Sequence, residues 1–231
     1  MTGIPTRTLL TILISVLLAL LLLGGFSWHR TTPKPPTPAT PFPHTSTAAS
    51  ESTDAIDPAR PTAGLRPFTP PLSRAAERVS KKPFGIRVSP TNSPVSPEKF
   101  TGIHTGTDFE AFPEEAHQDV PVHAICSGPL LRKQQARGYG GMVVQGCTLD
   151  GNPITVVYGH LKLESVGAKL NEQLEQGVIL GLLGNGYSRE TDGERKHLHL
   201  GVHQGPSVVT NGYIANQTNL NNWLDIMQYI Q

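Results

Sequence analysis

The sequence predicts a mainly β domain with an antiparallel β-sheet and a short C-terminal helix, preceded by an N-terminal transmembrane helix and a disordered Pro-rich linker. Three features predict this: an uncharged apolar run near the N-terminus, 15 of the 21 prolines between residues 31 and 100, and short apolar stretches separated by glycines after residue 84. We expect the membrane helix at 8–28, the linker at 31–82 and the folded domain at 84–231.

The first segment is an apolar run of 18 residues without a charge, from Leu9 to Phe26. As a helix it would span roughly 27 Å, close to the ~30 Å hydrocarbon core of a bilayer. The alternative is a cleaved signal peptide, which has a shorter apolar core followed by a small-residue cleavage site. Residues 24–28 (GGFSW) offer no such site, so we expect an uncleaved anchor with its N-terminus inside.

The second segment, residues 31–82, has the composition of a linker. The run from Thr31 to Pro43 favours extended polyproline geometry, and the Ser/Thr/Ala-rich stretch after it has too few apolar residues for a core. Arg74 to Lys82 could form a short basic helix that rests on anionic lipid or wall polymer; the alternative is a solvated run of charges.

The third segment alternates between apolar stretches and turns. We expect strands within residues 120–126, 141–147, 154–160, 176–184 and 197–203, with a hairpin turn at Asp150-Gly151. A helix is expected near the end of the chain, where apolar side chains follow the i, i+3, i+4, i+7 rule at Leu220, Trp223, Leu224 and Met227.

The two cysteines of the chain, Cys126 and Cys147, both fall in expected strands. In a domain outside the cytoplasm they could form a disulfide that closes a loop of about 20 residues. The alternative is a pair of buried free thiols. A zinc site built on them is not expected, because no second Cys or nearby His lies at ligand spacing.

Seven of the nine histidines lie after residue 100, and their spacing indicates chemistry. His104 and Asp108 form a His-x-x-x-Asp motif, His160 ends an apolar strand, and His197 and His199 form a His-x-His motif. In a strand, His197 and His199 share a face. Two imidazoles and one carboxylate with an open fourth position make a catalytic zinc site, and further histidines could then transfer protons and stabilise charge. Binding to nucleic acid is not expected, because the net charge is only +1.

The ordered set of His-x-x-x-Asp, Tyr-x-His-Leu, a Gly-rich strand and His-Leu-His resembles the lysostaphin/LytM-type zinc metallopeptidases, which cleave peptide cross-links in bacterial cell walls. The resemblance covers roughly residues 100–205, close to half the chain. It implies a β-rich domain whose antiparallel sheet forms the floor of a groove. It also implies that His104, Asp108 and His199 bind Zn²⁺ and that His160 and His197 are the catalytic pair, with their individual roles open.

Two loops depart from the pattern of this family. Residues 110–119 after the metal-binding Asp are longer and acidic, and residues 192–196 replace the usual Ser-Thr-Gly-Pro before His-x-His. Both loops are expected to border the groove and to affect substrate choice. His117, His123 and His203 match no motif position, and we expect them at the surface, at a strand edge or at the rim of the groove.

The resemblance and the expected anchor together imply a membrane-anchored zinc endopeptidase that hydrolyses peptidoglycan cross-links. Its partners would be the stem peptide or cross-bridge of peptidoglycan and, through its first helix, the bacterial cytoplasmic membrane, with the catalytic domain on the periplasmic or wall side. Two alternatives stay open: a non-catalytic module that activates another wall hydrolase, and the same chemistry on a peptide from another source.

Overall fold

The computed structural model describes residues 67–230, so the expected membrane helix and most of the expected linker lie outside the described residues. None of the helices within residues 67–230 is both long enough and apolar enough to cross a membrane. The two α-helices are α1 (Ala75–Arg78) and α2 (Gln217–Leu220). The strands are β1 (Arg87–Val88), β2 (Gly102–His104), β3 (Gly106–Glu110), β4 (Pro121–His123), β5 (Gly128–Ala136), β6 (Gly140–Leu149), β7 (Asn152–Gly159), β8 (Leu161–Lys162), β9 (Gln173–Leu174), β10 (Ile179–Leu183), β11 (His197–Gln204), β12 (Tyr213–Ile214) and β13 (Trp223–Leu224).

A seven-stranded antiparallel sheet is the centre of the described domain and confirms the expected mainly β class. Its strand order is β13-β11-β7-β6-β5-β9, and β3 pairs with β11 beside β13. The hairpin between β6 and β7 turns at Asp150 and Gly151, which both have positive φ, as the Asp-Gly pair predicts. Two three-stranded sheets, β1-β2-β12 and β4-β10-β8, flank the central sheet.

The period-2 alternation of β11 separates core from site. Leu198 and Leu200 pack into the main hydrophobic core with Val156 and Tyr158 of β7, and all four are at most 1% exposed. The residues between these leucines, His197 and His199, therefore lie on the opposite face of the sheet. The core that anchors β11 is thus also what orients the His-x-His motif.

The long strand β5 is not among the strands expected from the sequence. Its residues Gly128–Ala136 are mostly half-buried or exposed, and Leu130 is its buried apolar residue. A strand that packs one side chain into the core carries little alternation, which is why the sequence gives no signal for it.

The prediction that the linker extends to residue 82 is wrong for residues 67–82. Phe68 and Leu72 are buried in the main core, and α1 lies within this segment. Neither a lipid-bound helix nor a solvated charge run describes 74–82, because Arg78 and Lys82 are each 1% exposed. The Arg78 guanidinium forms an ion pair with Glu115 at 2.7 Å, and the acidic 110–119 loop therefore fixes this segment.

The expected C-terminal helix is also wrong for most of its length. Helix α2 ends at Leu220, Trp223 and Leu224 form β13 against Val202 and His203 of β11, and a 3₁₀ turn follows at Ile226–Gln228. The apolar side chains still face inward, with Leu220 and Trp223 both 6% exposed. These residues could form a helix or pair with the edge of β11, and the pairing is what the structure has. Tertiary context thus overrides a short helical pattern in the sequence.

The two cysteines form a disulfide, as the first of the two alternatives predicts. Cys126 and Cys147 are bonded, with 6.1 Å between their Cα atoms, and the bond links the segment after β4 to β6.

Candidate active site

Strand pairing brings the two sequence motifs together. In the β3–β11 ladder, Asp108 lies directly opposite His199, and Glu110 lies directly opposite His197. Residues that face each other in an antiparallel pair share a side of the sheet, so these four side chains converge. His104 follows from β2, which turns into β3 through Thr105.

His104, Asp108 and His199 form a compact group in which one ligand atom from each residue lies within 4.8 Å of the others. The Nε2 atom of His104 is 2.9 Å from Nδ1 of His199, and the Asp108 Oδ1 atom is 3.2 Å from each of these nitrogens. All three residues are buried. Two imidazole nitrogens and a carboxylate oxygen at this spacing fit a tetrahedral Zn²⁺ with its fourth position open to the cavity.

The backbone around His104 selects its ring orientation. Its Nδ1 lies 3.2 Å from the carbonyl oxygen of Pro83, which can accept a hydrogen bond and leave Nε2 free as a ligand. The ring of Tyr213 stacks on the His104 imidazole, with 5.1 Å between the centroids. This ligand is thus held on both sides by residues that no motif includes.

His160 and His197 lie beside this group with their ring centroids 4.2 Å apart. His160 directly follows β7 and has a positive φ of 64°, a strained conformation for a non-glycine residue. Two backbone hydrogen bonds hold it there: its N–H donates to Tyr139, and its carbonyl accepts from Gly184. The Nδ1 atom of His197 lies 2.9 Å from the Arg195 carbonyl, and its Nε2 is 3.3 Å from Asp108 Oδ2.

Arg195 and Glu110 complete the surroundings of the Asp108 carboxylate. The Arg195 guanidinium donates to Asp108 Oδ2 at 2.8 Å and makes a forked contact with both carboxylate oxygens of Glu110. Asp108 therefore presents Oδ1 to His104 and His199, and Oδ2 to the Arg195 guanidinium. Charge-assisted, two-pronged contacts of this kind fix the orientation of a carboxylate.

Burial and neighbouring charges shift the ionisation of the group in opposite directions. Burial opposes ionisation of Asp108, but the charges of His197 and His104 and the hydrogen bonds from both outweigh it and hold its pKa well below the usual range. Burial, followed by the charge of His197, holds the pKa of His160 well below its usual value. Burial also lowers the pKa of His199 to about 4. The Asp108 carboxylate is thus ionised and the His199 imidazole is neutral, which is the state in which both groups bind a metal.

A cavity of about 280 Å³ opens onto this group. Tyr139, His160 and His197 line it together with the Asp108–His199 pair. Of the two departing loops, one lines this cavity with Glu194 and Arg195, and the other lines an adjacent cavity with residues 110–113. The expectation that these loops border the groove is confirmed for residues 192–196, whereas residues 110–119 line only the adjacent cavity.

The flank preceding β2 adds a buried ion pair to the cavity wall. Lys82 Nζ is 2.6 Å from Glu98 Oε2, and both side chains are 1% exposed. The same ammonium donates to the Tyr213 hydroxyl at 3.0 Å. This pair therefore supports the tyrosine that stacks on His104.

The remaining histidines of the domain lie apart from the group. His117 is exposed, and half-buried His123 lies against the Pro71 carbonyl, with 3.4 Å between its Nδ1 and that oxygen. His203 lies towards the far end of β11, where its ring makes an edge contact with Trp223.

Sequence reasoning missed Tyr139, Lys82, Glu98 and Tyr213 as residues of this site. Glycines on both sides of Tyr139 hint at a special backbone, but no spacing rule connects the other three residues to His104, which lies 6 to 109 residues away from them. These contacts depend on the packing of distant segments.

An antiparallel β domain with a buried His/Asp/His group facing a cavity is the arrangement of a metal-dependent hydrolase. Residues 102–214, just under half of the chain, match the model of Peptidase family M23, in agreement with the resemblance that the sequence motifs indicate. No curated protein sequence matches the chain.

Several solved structures are similar to the chain. The catalytic domain of the antimicrobial peptidase lysostaphin from Staphylococcus simulans is 19% identical, over 64% of this chain and 86% of that one, with a TM-score of 0.42. LytU is 21% identical over 58% and 84%, with a TM-score of 0.40. A zinc containing peptidase from Vibrio cholerae is 21% identical over 61% and 37%, with a TM-score of 0.40.

Proposed function

We propose that this chain is a membrane-anchored, zinc-dependent endopeptidase that hydrolyses peptide cross-links of bacterial peptidoglycan. The observation that carries the proposal is the buried His104/Asp108/His199 group opening onto a cavity, within a domain that matches a peptidase family. The apolar segment at 8–28 and the Pro-rich residues after it suit a tether that holds the domain between membrane and wall, a few nanometres away.

The donor set fits zinc in chemistry as well as spacing. Imidazole nitrogens and carboxylate oxygen are ligands that Zn²⁺ takes in catalytic sites, where three protein ligands leave a position for water or substrate. His104, Asp108 and His199 would hold the ion. When bound, zinc polarises a scissile carbonyl and lowers the pKa of water to near neutral.

Proton transfer and stabilisation of the developing charge fall to side chains on the cavity side of the His104/Asp108/His199 group. His160 and His197 present two imidazoles to the cavity; one takes a proton from the attacking water, and one or both stabilise the charge that develops on the carbonyl oxygen. Arg195 keeps the second oxygen of Asp108 occupied, so that the first points at the metal position. The cavity walls orient the substrate peptide and restrict water.

Two measurements on the full chain, purified in detergent, test this proposal. Metal analysis should find about one zinc per chain, and digestion of purified peptidoglycan should release fragments with new peptide termini by mass spectrometry. His160→Ala should abolish release, whereas Lys169→Ala, at an exposed lysine that lines neither cavity, should leave it unchanged.

Each other outcome identifies an alternative. Zinc without cleavage of several wall types would contradict the wall substrate and favour a peptide from another source. Absence of both zinc and cleavage would contradict the enzyme and favour the non-catalytic module.

A further inference from the structure

A second cavity, of about 490 Å³, adjoins the reaction cavity and shares Arg195 with it as a common wall. Lys81, Phe112, Tyr187 and Lys196 contribute to its other walls. Both loops that depart from the family pattern form it, because Phe112 belongs to 110–119 and Lys196 to 192–196. The cavity is therefore a feature of this chain's own loops.

The strand register gives the distance of this cavity from the metal group. Glu110 and His197 form the next pair on the same face of the β3–β11 ladder, two positions along from Asp108 and His199. Beyond them, the Ala111 N–H donates to the Lys196 carbonyl. At about 3.4 Å per residue, two positions along these strands correspond to roughly 7 Å. An extended substrate peptide would therefore reach the second cavity about two residues from the bond that is cleaved.

Cationic groups dominate the walls of this cavity. Lys81, Arg195 and Lys196 line it, and both oxygens of its lining carboxylate, Glu110, are already engaged by Arg195. The Nη1 atom of Arg195 is buried and has no hydrogen-bond partner within the described residues. The Lys81 ammonium is 45% exposed and 3.6 Å from Glu110.

The other carboxylates that act on Lys196 are those of Glu115, Asp119 and Glu190. Glu115 is held by Arg78, and Glu190 accepts a hydrogen bond from the Asn185 backbone. Burial is the largest influence on Lys196 and lowers its pKa, so an anion arriving at the cavity would restore the charge balance of a partly desolvated ammonium.

We propose that this second cavity binds a carboxylate of the substrate, about two residues from the cleaved bond. The inference rests on the proposed function and narrows it: the substrate is an acidic stem peptide with free carboxylates, in place of an uncharged glycine bridge. Ammonium and guanidinium groups recognise carboxylates through short, charge-assisted hydrogen bonds.

Calorimetric titration of the full chain in detergent tests this subsite without requiring turnover. The probes are purified stem peptides with free carboxylates and the same peptides with those carboxylates amidated. Amidation should raise Kd about tenfold for the unmodified chain, because it removes charge-assisted hydrogen bonds. In the Lys81→Gln/Lys196→Gln variant, which keeps only the Arg195 guanidinium in the cavity, amidation should raise Kd by about threefold or less, whereas Lys169→Gln, at an exposed lysine elsewhere, should retain the tenfold difference.

Equal affinity for the two peptides, an amidation effect of unchanged size after the double substitution, or no binding of either peptide would overturn the subsite. Release of fragments from whole peptidoglycan is measured in parallel. Carboxylate-dependent binding without release would contradict the proposed hydrolysis while leaving the subsite in place.

A separate observation concerns Tyr139, whose hydroxyl is buried without a hydrogen-bond partner within the described residues and whose side chain lines the reaction cavity. Its ring makes an edge contact with His199, with 5.3 Å between the centroids. Two glycines make room for it: a Cβ on Gly159 would lie 2.5 Å from the ring, and one on Gly212 would lie 3.0 Å from the hydroxyl oxygen.

The chain thus holds a phenol in place although its buried hydroxyl has no hydrogen-bond partner, which lowers the stability of the fold. Unsatisfied groups are rare in native interiors and require an explanation such as a catalytic role. Burial, followed by the charge of Asp108, raises the pKa of Tyr139, so the hydroxyl keeps its proton. We infer that this hydroxyl is a catalytic hydrogen-bond donor to the carbonyl oxygen of the scissile peptide.

Tyr139→Phe removes this donor and keeps the ring, and Tyr229→Phe, outside the cavity, is the matched control. On peptidoglycan, Tyr139→Phe should lower kcat about 100-fold with KM and zinc content unchanged. Its melting temperature should not fall, because the substitution removes an unpartnered buried group. An unchanged kcat or a loss of zinc would overturn the inference. If the unmodified chain releases no peptide, the proposed function fails and this inference fails with it. Release at equal rates by the unmodified chain and Tyr139→Phe overturns the inference alone.

Discussion

Residues 102–214, which match the family model, and the segments on either side of them make different contributions to one site. The matched part contains all five residues expected from the sequence, His104, Asp108, His160, His197 and His199. The preceding flank contains none of them, yet Lys82, Pro83 and Glu98 contact the site or its supports. The following flank closes the edge of β11 through Trp223.

This difference shows that the motif residues of the site and the residues that hold them in position come from different parts of the chain. A motif can specify which side chains share one face of a strand, because parity along a strand is a local rule. The orientation of His104 depends instead on a carbonyl 21 residues earlier and on a tyrosine held by a buried ammonium. Substitutions in the flanks should therefore lower mainly the free energy of unfolding. Substitutions of the site residues within 102–214 should lower mainly metal binding or peptide release.

Deletion of the preceding flank should have the largest effect on stability. Removing residues 1–83 discards the buried Phe68, Leu72, Arg78 and Lys82. Each large buried apolar side chain contributes about 2–5 kcal/mol, and a domain is stable by only about 5–15 kcal/mol. We expect no cooperative thermal unfolding transition by circular dichroism for this truncated chain.

Deletion of residues 1–66 is the matched comparison, because it retains every residue of the described domain. It should preserve the transition. A cooperative transition at the same temperature in both truncated chains would contradict a structural role for residues 67–83.

Glu98→Gln should have the next largest effect, because it leaves the Lys82 ammonium buried without its ion-pair partner. Breaking a buried ion pair from one side costs about 3–5 kcal/mol. The free energy of unfolding, measured with urea, should fall by that amount. Glu164→Gln, at an exposed position, should change it by less than about 0.5 kcal/mol. Equal values for the two variants would contradict the support assigned to this flank.

Removal of the disulfide should cost somewhat less and should not affect the site. Cys126→Ala/Cys147→Ala opens a link across 21 residues, worth roughly 3 kcal/mol of unfolding free energy. Neither cysteine lines the reaction cavity, so zinc content and peptide release below the melting temperature should equal those of the unmodified chain. Loss of zinc from this variant would contradict the account, because a loss of stability alone should leave the metal site intact.

The sequence predicts those parts of the molecule that depend on local periodicity. Alternation predicts β6, β7 and β11, and Asp150-Gly151 predicts the hairpin between the first two. The spacing of His197 and His199 predicts their common face for the same reason. Residues 220–227 show the limit of this reasoning, because the free edge of β11 recruits Trp223 into a strand despite a helical period.

Local periodicity does not predict ion pairs between charged residues that are far apart in the sequence. Arg195 is visible in the sequence only as a departure from a family pattern, as is Glu110. Their contact exists because β3 and β11 pair in one register, which brings residues 85 positions apart into a forked ion pair. A shift of that register by one residue would place Glu110 on the other face of the sheet.

The central claim is that the five residues divide into three that bind metal and two that act on protons. Metal analysis of the unmodified chain, His199→Ala and His160→Ala, each dialysed against zinc at equal concentration, tests this division most directly. We predict about one zinc per chain, none, and about one, respectively. Loss of zinc from His160→Ala to the same extent as from His199→Ala would contradict the claim.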